Sequence, residues 1–155
     1  MFSSLQELFD TFTAASPDDT PEGREHSLRL AAAVLLVEVV RADDRMDPAE
    51  RKAVFTALRR RFEMPDDELT SLVDLAKVQS KTANDYFHFT SRINDHFSQP
   101  EKISLVEAMW QVAYADGALD VNENHVISKV AELLHVTHGE YIAAKMRAKE
   151  DAGLI

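Results

Sequence analysis

Cysteine is absent from the 155 residues, which excludes disulfides, thiolate chemistry and thiolate metal sites. Glycine and proline are scarce, at 4 and 5 residues, so a chain dominated by disorder is not expected from a composition that is 45% hydrophobic and 28% charged. No long hydrophobic run occurs. The strongest, "AAAVLLV" at 31–37, is broken by Glu38 well short of the roughly 18 residues of a membrane span, so it reads as a buried helix. Positive charge is in deficit, with 17 basic against 27 acidic residues and a formal net charge of −10. That balance opposes nucleic acid and anionic membrane surfaces and suits cations or basic partners. The start "MFSSLQELFDTFTAA" lacks the basic-then-apolar order of a secretory signal, which sets a cytoplasmic location as the expectation. No serine–histidine–acid constellation and no glycine-rich phosphate loop is present.

What is there is helical spacing throughout, with no convincing alternation of a strand. The expected fold is all-α, a compact bundle of seven to eight helices forming one domain over 1–155. Phe2, Leu5, Leu8, Phe9 and Phe12 make a short amphipathic helix, followed by the polar, turn-rich "SPDDTPEG" up to residue 23. Helices are then expected near 24–43, 47–62 and 65–80, a connecting helix within 81–98, and three more near 99–116, 120–135 and 138–151. Phe89, Ile93 and Phe97, spaced by four, read as a core stripe, and so does Trp110.

The chain repeats itself. An offset of 73 carries Asp43 to Asp116, Asp47 to Asp120 and Glu50 to Glu123, and it also aligns Val39 with Val112 and Ala42 with Ala115. Segments 24–80 and 99–150 therefore read as two helix-turn-helix units about a pseudo-two-fold axis. Half of each acidic motif fits helix capping. Asp47 stands at an N-cap with Pro48 next and Glu50 three residues on, and Asp120 with Glu123 matches it. Asp43 and Asp116 do not fit, because each sits at a helix C-terminus, where the macrodipole disfavours a carboxylate by about 0.3–1 kcal/mol. A bound cation accounts for them through oxygen ligands suited to calcium or magnesium. Ordinary turn chemistry accounts for them as well, since Asp and Gly both tolerate a left-handed conformation. The spacing is not that of an EF-hand loop, which needs about twelve residues and a central Gly.

The pair "LLVEVVRADDRMDPAER" and "MWQVAYADGALDVNE" resembles the tellurite-resistance TerB-like family, which includes the helical domain preceding the J-domain of the co-chaperone DjlA. The resemblance covers about residues 28–146 and implies a helical bundle whose acidic residues hold a divalent metal. At the matching positions stand Asp43, Asp47 and Glu50, then Asp116, Asp120 and Glu123. The first copy departs from the pattern, with Asp44 where the second keeps Gly117.

The leading expectation is a non-enzymatic, metal-responsive module tied by resemblance to tellurite or stress responses, with a protein partner. Calcium or magnesium is the favoured cation, with zinc or manganese as alternatives. A metal-free helical adaptor is the competing reading. A di-metal bundle enzyme is the third, and it has little to build on: Glu132 with His135 is one Glu-x-x-His pair, and the repeat supplies no second. Glu38, on a mostly apolar helix face, reads either as a further ligand or as a buried ion pair with Arg41 or Arg45. Arg59, Arg60 and Arg61 are expected to complement the negative end of their helix and to stay solvated.

Overall fold

Ten consecutive residues, Ala31 to Val40, are buried, so the helix that carries them is covered on every face. The computed structural model describes residues 21–41, 48–82, 86–115 and 121–153. Among them are seven helices and no strand: α1 (Pro21–Arg41), α2 (Pro48–Arg61), α3 (Asp66–Thr82), α4 (Phe87–His96), α5 (Gln99–Ala113), α6 (Val121–Leu133) and α7 (His138–Asp151). The short helix expected over residues 2–12 lies outside the described residues. None of the described helices is long and apolar enough to cross a membrane.

The apolar run of α1 makes it the axis of the fold. It packs against α2, α3, α4, α5 and α6, while α7 lies along α5. Leu30, Val34, Leu35 and Leu36 meet Leu69, Leu72 and Val73 of α3, Ile93 of α4 and Met109 of α5 in one continuous core. Each such aliphatic side chain contributes about 1.5–3 kcal/mol on burial, so α1 anchors every layer around it. Phe89, Ile93, Phe97 and Trp110 belong to this core, as their spacing predicts.

Some positions related by the offset of 73 are buried in both segments and others are not, Ala31 being buried where Ser104 is exposed. Leu36 and Met109, Val39 and Val112, and Val54 and Ile127 are all inside. α2 packs on α5, and α6 on α1.

Helix ends follow local chemistry. Pro21 and Pro48 are the first residues of α1 and α2, where a missing N–H costs nothing, so α1 begins three residues earlier than the polar turn suggested. Ser98 and Thr137 build capping boxes. Their hydroxyls accept from the backbone N–H of Glu101 and Glu140 at 3.3 and 3.2 Å, and both glutamates accept the cap N–H at 2.8 Å. At the end of α6, His135 adopts φ 60°, its N–H donates to the Glu132 carbonyl, and the Val136 N–H donates to Ala131. This is a Schellman stop built on a residue other than glycine.

The three arginines closing α2 are exposed in its last turn, as expected, and each also meets a polar partner. Arg59 pairs with Asp66 at the start of α3, Arg60 donates to Gln111 Oε1 at 3.2 Å, and Arg61 pairs with Glu101 at 3.1 Å. Arg61 also covers the rings of Phe62 and Phe97. Packing brings the acidic first turns of α3 and α5 to the basic last turn of α2, so opposite helix ends neutralise one another.

Candidate cation site at the acidic helix turns

The two acidic turns join α1 to α2 and α5 to α6, and residues 42–47 and 116–120 lie outside the described residues. Four of the proposed ligands, Asp43, Asp47, Asp116 and Asp120, fall there. The two glutamates that complete the motifs are described. Glu50 is 2% exposed in the first turn of α2, and Glu123 is 1% exposed in the first turn of α6.

Burial separates these two from ordinary capping residues. Glu101 and Glu140 occupy the same third helical position in complete capping boxes, and both stay partly exposed. Their carboxyls are held below the usual range chiefly by the cap N–H of Ser98 and of Thr137. A glutamate needs no burial to cap a helix. Burying a carboxylate costs free energy unless hydrogen bonds, an opposite charge or a metal compensates it.

Glu38 is 2% exposed, and the Tyr86 hydroxyl donates to its Oε2 at 3.2 Å. Of the two arginines offered as ion-pair partners, Arg45 and the Arg41 side chain are outside the described residues. Tyr86, which immediately precedes α4, was not legible as a partner, because 48 residues separate it from Glu38 and only the packing of α4 on α1 joins them. At the offset position Gln111 is partly exposed, with its Nε2 donating to Asp151 at 3.4 Å. The two halves therefore differ where Glu38 and Gln111 stand.

Other acid and imidazole groups stand apart. Glu132 and His135 are both exposed, and His135 lies beyond the last turn of α6. His88, His125 and His138 are exposed too. Among the described residues no three His, Asp or Glu side chains cluster to hold a metal. Two polar groups were missed by sequence reasoning, the half-buried Asn94 and the buried Lys102. Asn94 of α4 donates to the Leu133 carbonyl at 2.9 Å and accepts from Lys102 Nζ at 3.3 Å, tying α4 to the end of α6 and to α5.

The donor chemistry of the motif is carboxylate oxygen, which suits a hard cation. Glu50 and Glu123 fit such an ion, because each already sits in a buried position beside an acidic turn. A family model described as "Tellurite resistance protein TerB" matches residues 29–146, more than half of the chain. No curated protein and no solved structure gives a match.

Proposed function

The chain belongs to the TerB tellurite-resistance family, and from that premise we propose that it is a non-enzymatic helical module that binds a divalent cation at its two acidic turns and signals through a protein partner. The observation that carries this reading is the burial of Glu50 and Glu123 at equivalent positions, against the partly exposed Glu101 and Glu140 of the plain capping boxes. Asp43, Asp47 and Glu50 would serve one turn, and Asp116, Asp120 and Glu123 the other. Calcium or magnesium matches oxygen donors of this kind, with zinc or manganese as the alternatives. A bound cation would supply positive charge to these carboxylates, and the protein would supply the first turns of α2 and α6. Glu38, engaged by Tyr86, acts as a structural group that fixes α4 to α1. The family's name ties the module to tellurite resistance, and a stress response is the wider reading.

Thermal unfolding of chelated protein, with calcium, magnesium, manganese or zinc added singly, tests the proposal. A cation at a hundredfold over its dissociation constant adds about 2.7 kcal/mol. At roughly 2–4 °C per kcal/mol for a domain of this size, the midpoint rises by about 5–11 °C. Asp43→Asn with Asp116→Asn should abolish the rise and leave the chelated protein at least as stable. If no ion moves the wild-type midpoint, the carboxylates are caps and turns, and the metal-free adaptor reading replaces this one.

A further inference from the structure

The last helix carries an apolar face on its outer side, away from the acidic turns and beyond the cation-binding reading. Of the four large apolar side chains exposed among the described residues, two, Ile142 at 39% and Met146 at 43%, stand one turn apart on α7. At about 100° per residue, Gly139, Ile142, Ala143, Met146 and Glu150 fall within one arc of about 100°, and the buried Ala144 and Ala148 lie on the opposite side of the helix. All five residues of the arc are exposed, while α7 packs chiefly on α5. The outer face of a surface helix is ordinarily polar. Here its one charge is Glu150.

Gly139 marks the same face. It is the second residue of α7, its φ is not positive, and a Cβ added to it would meet nothing within 4 Å. The fold itself therefore has no use for a glycine there, and glycine weakens a helix relative to alanine. A close approach from outside accounts for it.

Charge says what approaches. At a net charge of −10 most of the surface repels a second copy, but α7 is balanced, with Lys145, Arg147 and Lys149 against Glu140, Glu150 and Asp151. The helix is also complementary to itself when two copies run antiparallel with Ala143 near the two-fold axis. Ile142 of one copy then lies opposite Met146 of the other. Arg147, which pairs with Glu107 of α5 and keeps 51% of its side chain exposed, lies opposite the partly exposed Glu140 along one edge of the face. Glu150 falls beside Gly139, at the positive N-terminal end of the other helix, where a carboxylate is favoured and the missing side chain leaves it room. Run in parallel, the same helices would set Arg147 against Arg147 and Glu150 against Glu150.

We propose that the exposed face of α7 is the interface of an antiparallel, two-fold homodimer, with Ile142 and Met146 as its apolar centre and Ala143 at the axis. A contact made by one helix falls short of the roughly 1,600 Å² of a standard interface, so the dimer is a weak one that forms as concentration rises.

Sedimentation equilibrium in the presence of chelator reads it. From micromolar to millimolar protein the apparent mass should climb from the 17.4 kDa of one chain towards twice that value. Ile142→Asp with Met146→Asp should hold it at one chain throughout, with an unchanged circular dichroism spectrum because both side chains already face solvent. Since the chain has no cysteine, single cysteines fix the geometry. On mild oxidation Ala143→Cys should give a disulfide-linked dimer, whereas Gly139→Cys, about 15 Å along the helix from its symmetry mate, should not. A mixture of Gly139→Cys and Glu150→Cys chains should cross-link to one another. A wild-type mass of one chain at every concentration overturns the proposal, and so does a dimer that survives Ile142→Asp with Met146→Asp, which would place the contact on another surface. Equal cross-linking through Ala143→Cys and Gly139→Cys also overturns it, because that is the pattern of a parallel pair. No cation enters this test, so its failure leaves the cation reading untouched.

Discussion

Replacing His135 with glycine should stabilise the protein, although it removes a whole side chain. His135 holds φ 60°, a left-handed conformation that costs a residue with a Cβ about 1–2 kcal/mol. It is the pivot of the α6 stop, where its own N–H and that of Val136 satisfy the carbonyls of Glu132 and Ala131. Its carbonyl also accepts from Gln99 Nε2 at 3.1 Å. All of these contacts are made by backbone, and glycine keeps them. Against the relieved strain stands the greater freedom glycine gives the unfolded chain, about 0.4–1 kcal/mol. The difference leaves a gain of about 0.5–1 kcal/mol, a rise of about 1–4 °C in the midpoint of a domain of this size. Urea unfolding followed by circular dichroism should show a higher midpoint concentration with an unchanged slope, the sign of a pure stability change. His135→Ala keeps the strain and discards the imidazole, so it should sit within about 0.5 kcal/mol of wild type. A lower midpoint for His135→Gly, together with a similar drop for His135→Ala, would show that the imidazole makes a stabilising contact and that the strain argument fails.

Asn94→Ala should cost about 1–3 kcal/mol, because it strips the Leu133 carbonyl and Lys102 Nζ of a partner at once; equilibrium unfolding measures it. Tyr86→Phe removes a hydroxyl donated to a buried carboxylate and should cost about 1.5–3 kcal/mol, with hydrogen exchange rising first in α4. Glu101 makes acid stability testable. Its carboxyl is lowered first by the Ser98 backbone N–H and further by the Ser98 hydroxyl and Arg61, against a smaller opposing effect of burial. Since the folded value lies below the unfolded one, near 4.5, the contribution is complete above that pH and is lost as pH falls through the folded value. Glu101→Gln should therefore flatten the stability profile below about pH 4.5 relative to wild type, in unfolding curves collected across that range.

Local signals along the chain determined most of the helical architecture. The run from Ala31 to Val37 is too apolar to face water and too short to face lipid, so it had to become an inner helix, and α1 is that helix. Phe89, Ile93 and Phe97 predicted their burial because a period near four places them on one face. Two capping boxes, in "SQPE" and "THGE", are equally legible as Ser-x-x-Glu and Thr-x-x-Glu. The acidic motif and its family were also written in the order of residues, because a tandem at a fixed offset is a property of sequence.

Tertiary structure alone decided what each charge meets. Glu50, Glu101, Glu123 and Glu140 all stand early in a helix, and nothing local fixes how far each is buried. Packing buries the first and third while leaving the others partly exposed. Arg59 to Arg61 stay exposed, yet only packing brings the first turns of α3 and α5 against Arg59 and Arg61. Glu38 finds Tyr86 across 48 residues, and Asn94 finds Leu133 across 39. Helix formation depends on neighbours three and four residues apart and is therefore visible in a short window, whereas the partner of a buried polar group is chosen by which helices the apolar faces press together, and that choice is made only when the whole chain folds.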